Sequence, residues 1–145
     1  MFKHLALVCA VLLGGAAMAQ APALSSDDIL IREAISKYLH GLKFNDVESL
    51  KQAFLPNAKL FFVKKDGSLG QLTQAEWYEG FKASAGKEEQ GELSIALVDV
   101  TGNAASVKVE EDYPKSHYTD YVSLLKLNGE WKIVNKIFCA KSKHP

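Results

Sequence analysis

Cysteine is scarce: the 145-residue chain holds two, Cys9 and Cys139. Cys9 lies in an apolar N-terminal run, which leaves one thiol for the folded part and excludes an internal disulfide framework. Arginine is scarcer still, with Arg32 alone. A formal net charge of +0 with one guanidinium argues against nucleic acid, an anionic membrane or a phosphate-rich ligand as partner. No long apolar run is present; Leu5 to Ala17 is uncharged but falls short of the roughly 20 residues that span a bilayer. The glycines of DGSLGQL match no phosphate-binding loop. His40, His117, His144 and Cys139 share no ligand spacing, so no metal site and no cofactor is expected.

What is there begins with a leader. Lys3 supplies a positive start, the apolar run follows, and Ala17-Met18-Ala19 is a small-x-small cleavage signature. Residues 1–19 therefore read as a signal peptide, with Gln20 the first residue of a secreted or periplasmic form. Val8 precedes Cys9 where a lipoprotein signal needs a small residue, so no membrane anchor is expected. Residues 20–25 read as a linker, 26–140 as one domain and 141–145 as a basic tail.

Three helices are expected. Ser25 or Ser26 caps the first, with Asp27 and Asp28 in the first turn, where the helix dipole favours negative charge. Ile31, Ile35, Leu39 and Leu42 form its apolar stripe, widened by Ala34 and Tyr38. Gly41 marks its end. Asn45 opens a second helix, with Val47, Leu50 and Phe54 as its apolar face and Pro56 as its stop. Thr73-Gln74-Ala75-Glu76 is a capping box for a third, which puts Trp77 and Phe81 on one face. Strands are expected over 58–63, 69–72, 93–100, 104–113, 118–127 and 131–138. The last two form a hairpin turned by Asn128-Gly129, and Gly102-Asn103 turns another. Two helices, two strands, a helix and four long antiparallel strands make an α+β fold, a curved antiparallel sheet wrapped around helices.

The phrases AISKYLHGLKFNDVESLKQAF, GNAASVKVEEDYP and YTDYVSLLKLNGEWKIVNKIF resemble the nuclear transport factor 2-like superfamily, and within it the putative lumazine-binding group. The resemblance implies a cone of curved sheet closed on its helices, a small-molecule pocket inside the cone, and pairing of subunits through the outer sheet face. The superfamily also hosts SnoaL-like and ketosteroid-isomerase-like enzymes, so the fold alone does not decide function.

On the last hairpin both faces carry apolar side chains. Placing Leu125, Leu127, Ile133 and Ile137 inside puts Tyr121, Ser123 and Asn135 inside too. It leaves Tyr118, Val122, Leu124, Val134 and Phe138 on the convex face as a homodimer surface. A one-residue register shift would exchange the two sets. The expected ligand is small and apolar or aromatic, enclosed by Tyr38, Phe54, Phe61, Trp77, Phe81, Tyr121 and Trp131 and oriented by Ser123 and Asn135.

Catalysis would need a carboxylate and a hydroxyl facing the pocket. Glu111, in phase with Val107 and Val109, is the acid candidate and Tyr38 the hydroxyl candidate; Tyr113 and Tyr121 are further donors. Asp112 is a further acid candidate; Asp99 lies near a turn, and Asp120 falls on the convex side beside Lys136 or Lys126. The sequence favours a binder over an isomerase, dehydratase or cyclase, with an assembly module third. An open cone with an ionisable acid at its base would favour the enzyme, and a filled cone the module.

Overall fold

The computed structural model describes residues 24–143, so the leader and most of the linker lie outside the described residues. Helix α1 spans Ser26–Phe44, with Ser25 as N-cap; the Asp28 N–H donates to its Oγ at 3.1 Å. Helix α2 spans Val47–Ala53. The cap between them differs from expectation. Asp46, not Asn45, caps α2, accepting from the N–H groups of Glu48 and Ser49, while Asn45 ends α1 in the left-handed conformation at φ 51°. Gly41 is buried inside α1, where a Cβ would meet Leu50 Cδ2 at 2.4 Å; glycine lets the two helices approach.

Strands β1 (Phe54–Val63) and β2 (Leu69–Thr73) form a hairpin. Phe54 is both the C-cap of α2, its N–H donating to the Leu50 carbonyl, and the first residue of β1, and Pro56 lies within the strand. Helix α3 (Gln74–Glu79) begins with the expected capping box of Thr73 and Glu76, and a short 3-10 turn follows at Lys82–Ser84. Strands β3 (Glu92–Thr101), β4 (Ala104–Asp112), β5 (Ser116–Leu127) and β6 (Glu130–Ser142) are antiparallel neighbours in sequence order. The six-stranded sheet runs β2-β1-β6-β5-β4-β3. It is mixed rather than wholly antiparallel, because β1 lies parallel to β6.

The helices fill the concave side. Ile31, Ile35 and Tyr38 of α1 share one core with Val107 and Val109 of β4, Val122 and Leu124 of β5, and Ile133 of β6. Each fully buried branched side chain contributes about 1.5–3 kcal/mol.

The two faces of the last hairpin are mostly the reverse of the expectation. Asp120, Val122 and Leu124 point inward and are essentially inaccessible, while Tyr121, Leu125 and Leu127 are exposed. On β6 the face changes midway. Leu124 pairs with Ile133 but Ser123 pairs with Asn135, so Val134 is an extra residue, a β-bulge. Trp131 and Ile133 face inward before it. After it Lys136 is buried, and Ile137 is 52% exposed. The bulge turns Asn135 and Ile137 outward and brings Lys136 and Phe138 into the cone.

Candidate functional site

The open part of the cone is a cavity of about 670 Å³. Leu60, Trp77, Phe81, Tyr113, Tyr118 and Phe138 supply its rings and apolar wall, and Glu111 and Lys136 its polar wall. Glu88, Glu89, Gln90, Lys115 and Ser116 also line it. The segment carrying Glu88 to Gln90 is tied to the end of α1. Lys43 Nζ donates to the carbonyls of Glu89 and Gly91 at 2.7 and 2.9 Å, and Asn45 Nδ2 donates to that of Lys87 at 2.9 Å. The left-handed Asn45 that ends α1 thus also fixes a wall of the cavity.

Against the cavity lies a buried polar cluster of Tyr38, Glu111, Asp120 and Lys136, one residue each from α1, β4, β5 and β6. Lys136 Nζ stands 2.6 Å from Asp120 Oδ2, donates to Tyr38 Oη at 2.7 Å, and lies 3.8 Å from Glu111 Oε1. It also sits 5.3, 5.4 and 4.9 Å from the ring centres of Tyr38, Trp77 and Phe138, an arrangement that suits a cation. The Tyr38 hydroxyl has one hydrogen and two carboxyl neighbours, Asp120 Oδ2 and, at 3.2 Å, Glu111 Oε1. The nearer, Asp120, takes that hydrogen. The contact with Glu111 is then satisfied when Glu111 carries a proton of its own and donates it to Tyr38 Oη.

The electrostatics agree with this proton count. Burial pushes the Glu111 carboxyl up to about 8; the charge of Lys136 pulls the other way and that of Asp120 adds to the rise. Burial, followed by the charges of Asp120 and Glu111, holds Tyr38 well above the usual phenol range, so it stays a neutral hydroxyl. Tyr113 is raised by burial first and by Glu111 second. A carboxyl that titrates near 8 beside an open cavity can gain or lose a proton near neutral pH, as general acid–base chemistry requires.

Of the ligand-enclosing residues expected from sequence, Trp77 and Phe81 line the cavity, their rings 5.3 Å apart and T-shaped. Tyr38 and Phe54 stand behind them in the core, with ring centres 5.4 Å apart. Trp131 is buried elsewhere, donating its indole N–H to Asp27 at 3.2 Å. Phe61 and Tyr121 line a groove on the convex face, and Ser123 and Asn135 pair with each other across β5 and β6 on that same face. The sequence reading put these last four on the wrong side of the sheet, for Phe61 by the alternation of β1 and for the rest by the swapped face of β5 and the bulge in β6.

Glu111 keeps its expected inward phase. Of the two partners expected for Asp120, Lys136 meets it and Lys126 pairs with Asp27 instead, and both Asp120 and Lys136 are inside. Asp112 is exposed and held by His117 and Lys143 at 3.1 and 2.7 Å. His117 bridges Asp112 and Glu110 and does not meet Asp120. Lys136, Tyr118 and Phe138 were not singled out for the pocket; their signal was the inward phase shared by Asp120, Val122 and Leu124. Among the described residues no group of His, Cys, Asp and Glu is placed to hold a metal ion, and no helix is long and apolar enough to cross a membrane.

The profile of the putative lumazine-binding family matches residues 26–139. The chain belongs to that family. Its fold is that of the nuclear transport factor 2-like proteins. A crystal structure of an NTF2-like protein of unknown function from Shewanella baltica OS155 superposes with a TM-score of 0.75 at 27% identity, over 83% of this chain and 98% of that one. Another, from Methylobacillus flagellatus KT, gives 0.70 at 28% identity, over 81% and 95%. Among characterised proteins the chain is 28% identical over 107 residues to Aldolase FrzH of Cladobotryum sp., covering 70% of this chain and 81% of that protein. Membership of this family supports a ligand-binding role.

Proposed function

We propose that this protein catalyses proton transfer next to a carbonyl group, on a small and largely apolar or aromatic compound held in the cone, with Glu111 as general acid and base. The observation that carries the reading is the position of Glu111: buried, on the cavity wall, and raised to about 8. A buried carboxyl on a cavity wall, raised toward neutral pH, is the kind of group that a proton carrier uses. Similarity to an aldolase supports it, since aldol addition and its reverse both involve loss or gain of a proton at the carbon beside a carbonyl, through an enolate or enamine. Exchange of carbon-bound hydrogen for deuterium, followed by NMR over a panel of ketones, aldehydes and 1,3-dicarbonyls, tests it. Protein-dependent exchange that is lost in Glu111→Gln supports the reading; binding of panel members without exchange returns the protein to the binders.

The working form is a homodimer paired through the convex face. Val122 and Leu124 leave the expected interface because they are core, and Tyr118 and Phe138 because they line the cavity; Phe61, Tyr121, Leu125 and Ile137 take their place. Val63 and Leu69 extend the patch, 74% and 68% exposed. A specific interface should bury on the order of 1,000 Å². Ile137→Lys is expected to fold normally and to shift sedimentation toward monomer, and a wild type that is already monomeric at high micromolar concentration would end the idea. Export is the second element of the reading. The mature form is expected to start at Gln20, which N-terminal sequencing of the secreted or periplasmic fraction checks.

A further inference from the structure

The reading above gives Glu111 the proton and leaves the oxygen of the substrate without a partner. An ammonium has three hydrogens. For Lys136, Asp120 Oδ2 at 2.6 Å and Tyr38 Oη at 2.7 Å take two, and Glu111 Oε1 at 3.8 Å is too far to take the third. Two of the three rings around Nζ, Trp77 and Phe138, line the cavity, as Lys136 itself does. An oxygen that enters from the cavity and reaches Nζ therefore passes between aromatic side chains. Lys115, the other cation lining the cavity, is an exposed residue. Lys136 is thus the buried cation within reach of the rings, with only strand β5 between its own strand and that of Glu111.

We propose that Lys136 seats the oxygen of an enolate or phenolate, so that the cavity selects flat conjugated compounds whose oxygen is anionic or becomes so on proton loss: enols, phenols and 1,3-dicarbonyls. The catalytic meaning of this seat rests on the reading of Glu111 as proton carrier; the seat itself does not. When Glu111 takes a proton from carbon, the electron pair moves to the carbonyl oxygen, and the third N–H of Lys136 donates to it. No covalent bond to the protein forms, and return of the proton from Glu111 restores the neutral ligand. Protonated Glu111 is the partner of the enolate, and it adds no negative charge to compete with the bound anion. Asp120, already paired to Lys136, offsets most of its charge, so the seat gives a directed hydrogen bond rather than a general pull on anions.

A phenol stands in for the enol and needs no turnover. The probe is 4-nitrophenol, titrated into the wild type at a pH below its own pKa, with the phenolate absorption band and tryptophan fluorescence recorded together. Appearance of the phenolate band in the bound probe is expected. Lys136→Met is expected to abolish the band and weaken binding by roughly tenfold to a hundredfold, the range for a lost charge-assisted hydrogen bond. Because that variant strands the Asp120 carboxylate, Lys136→Met combined with Asp120→Asn repeats the measurement without it. Asp120→Asn alone is expected to raise phenolate affinity, since the ligand then takes over as counter-ion. Three results overturn the proposal: wild type binding the probe as neutral phenol, the double variant binding phenolate as well as wild type does, or borohydride fixing a ketone onto Lys136, which would make the nitrogen a nucleophile. Deuterium exchange without phenolate seating would leave Glu111 its role and remove the seat. Phenolate seating without exchange would keep the seat and remove the catalysis.

Discussion

Glu111→Gln is expected to lose a hundredfold to ten-thousandfold in any deuterium-exchange or aldol-type activity of the wild type, the usual contribution of a positioned proton carrier. The amide keeps the size of the carboxyl and still donates to Tyr38 Oη, so the fold should survive and circular dichroism should not change. The pH dependence sharpens the test. The base form is the carboxylate, and burial pushes Glu111 up to about 8. Activity that begins with proton removal should therefore rise with pH and level off above about 8. Stability should move the opposite way. The folded protein holds the Glu111 proton up to about 8, whereas an unfolded chain releases it near 4.5. This contribution to stability is complete below about 4.5 and is lost as pH climbs through about 8. Glu111→Gln removes that slope, so its melting temperature relative to wild type should increase between pH 5 and 9. A variant that loses activity without this relative gain would point to damaged geometry rather than a lost titrating group.

Much of the fold was legible before any coordinates, because its signals are local. The capping box of Thr73 and Glu76 forms as written. The Asn128-Gly129 pair turns the last hairpin with φ of 51° and 86°, both in the region that Asn and Gly tolerate best. Helix α1 buries the side of its stripe carrying Ile31, Ile35 and Tyr38. The faces of β5 and β6 were not legible for two reasons. Both faces carry apolar residues, so alternation does not say which is inside. A bulge at Val134 also breaks the phase within one strand, and nothing about a valine among apolar neighbours announces it.

The site was half legible on the same grounds. Glu111 was found because β4 alternates cleanly from Ala105 to Glu111. Lys136 was one of two partners open to Asp120, beside Lys126, and the pair was placed outside, since lysine and aspartate are seldom fully buried. Only the tertiary arrangement, with the Tyr38 hydroxyl between them and three rings around the ammonium, makes burial of both tolerable. Glu111, Asp120 and Lys136 come from three neighbouring strands, and Tyr38 reaches them only because α1 packs on the concave side of the sheet.

Lys136→Met is expected to be among the most destabilising single changes in this protein, by about 3–5 kcal/mol, the range for breaking a buried ion pair from one side. The cause is what remains. Asp120 is 0% exposed, and its Oδ1 already has no hydrogen-bond partner among the described residues. Without Lys136, its Oδ2 keeps the Tyr38 hydroxyl alone, and a carboxylate held by one neutral donor in an apolar core either stays charged at high cost or takes up a proton. Asp120→Asn should cost less, because Lys136 keeps Tyr38 Oη as an acceptor and can donate to the asparagine carbonyl, so no carboxylate is left stranded. Combining the two should recover most of the stability: the asparagine can still accept from Tyr38, and methionine fills the volume of the lysine stem against Trp77 and Phe138. Urea denaturation of the four proteins in a double-mutant cycle measures the coupling directly. A large coupling, with the double variant more stable than Lys136→Met alone, is the expected result. Additive losses would mean that Lys136 and Asp120 act independently, and that the cluster holds the core together through Tyr38 instead.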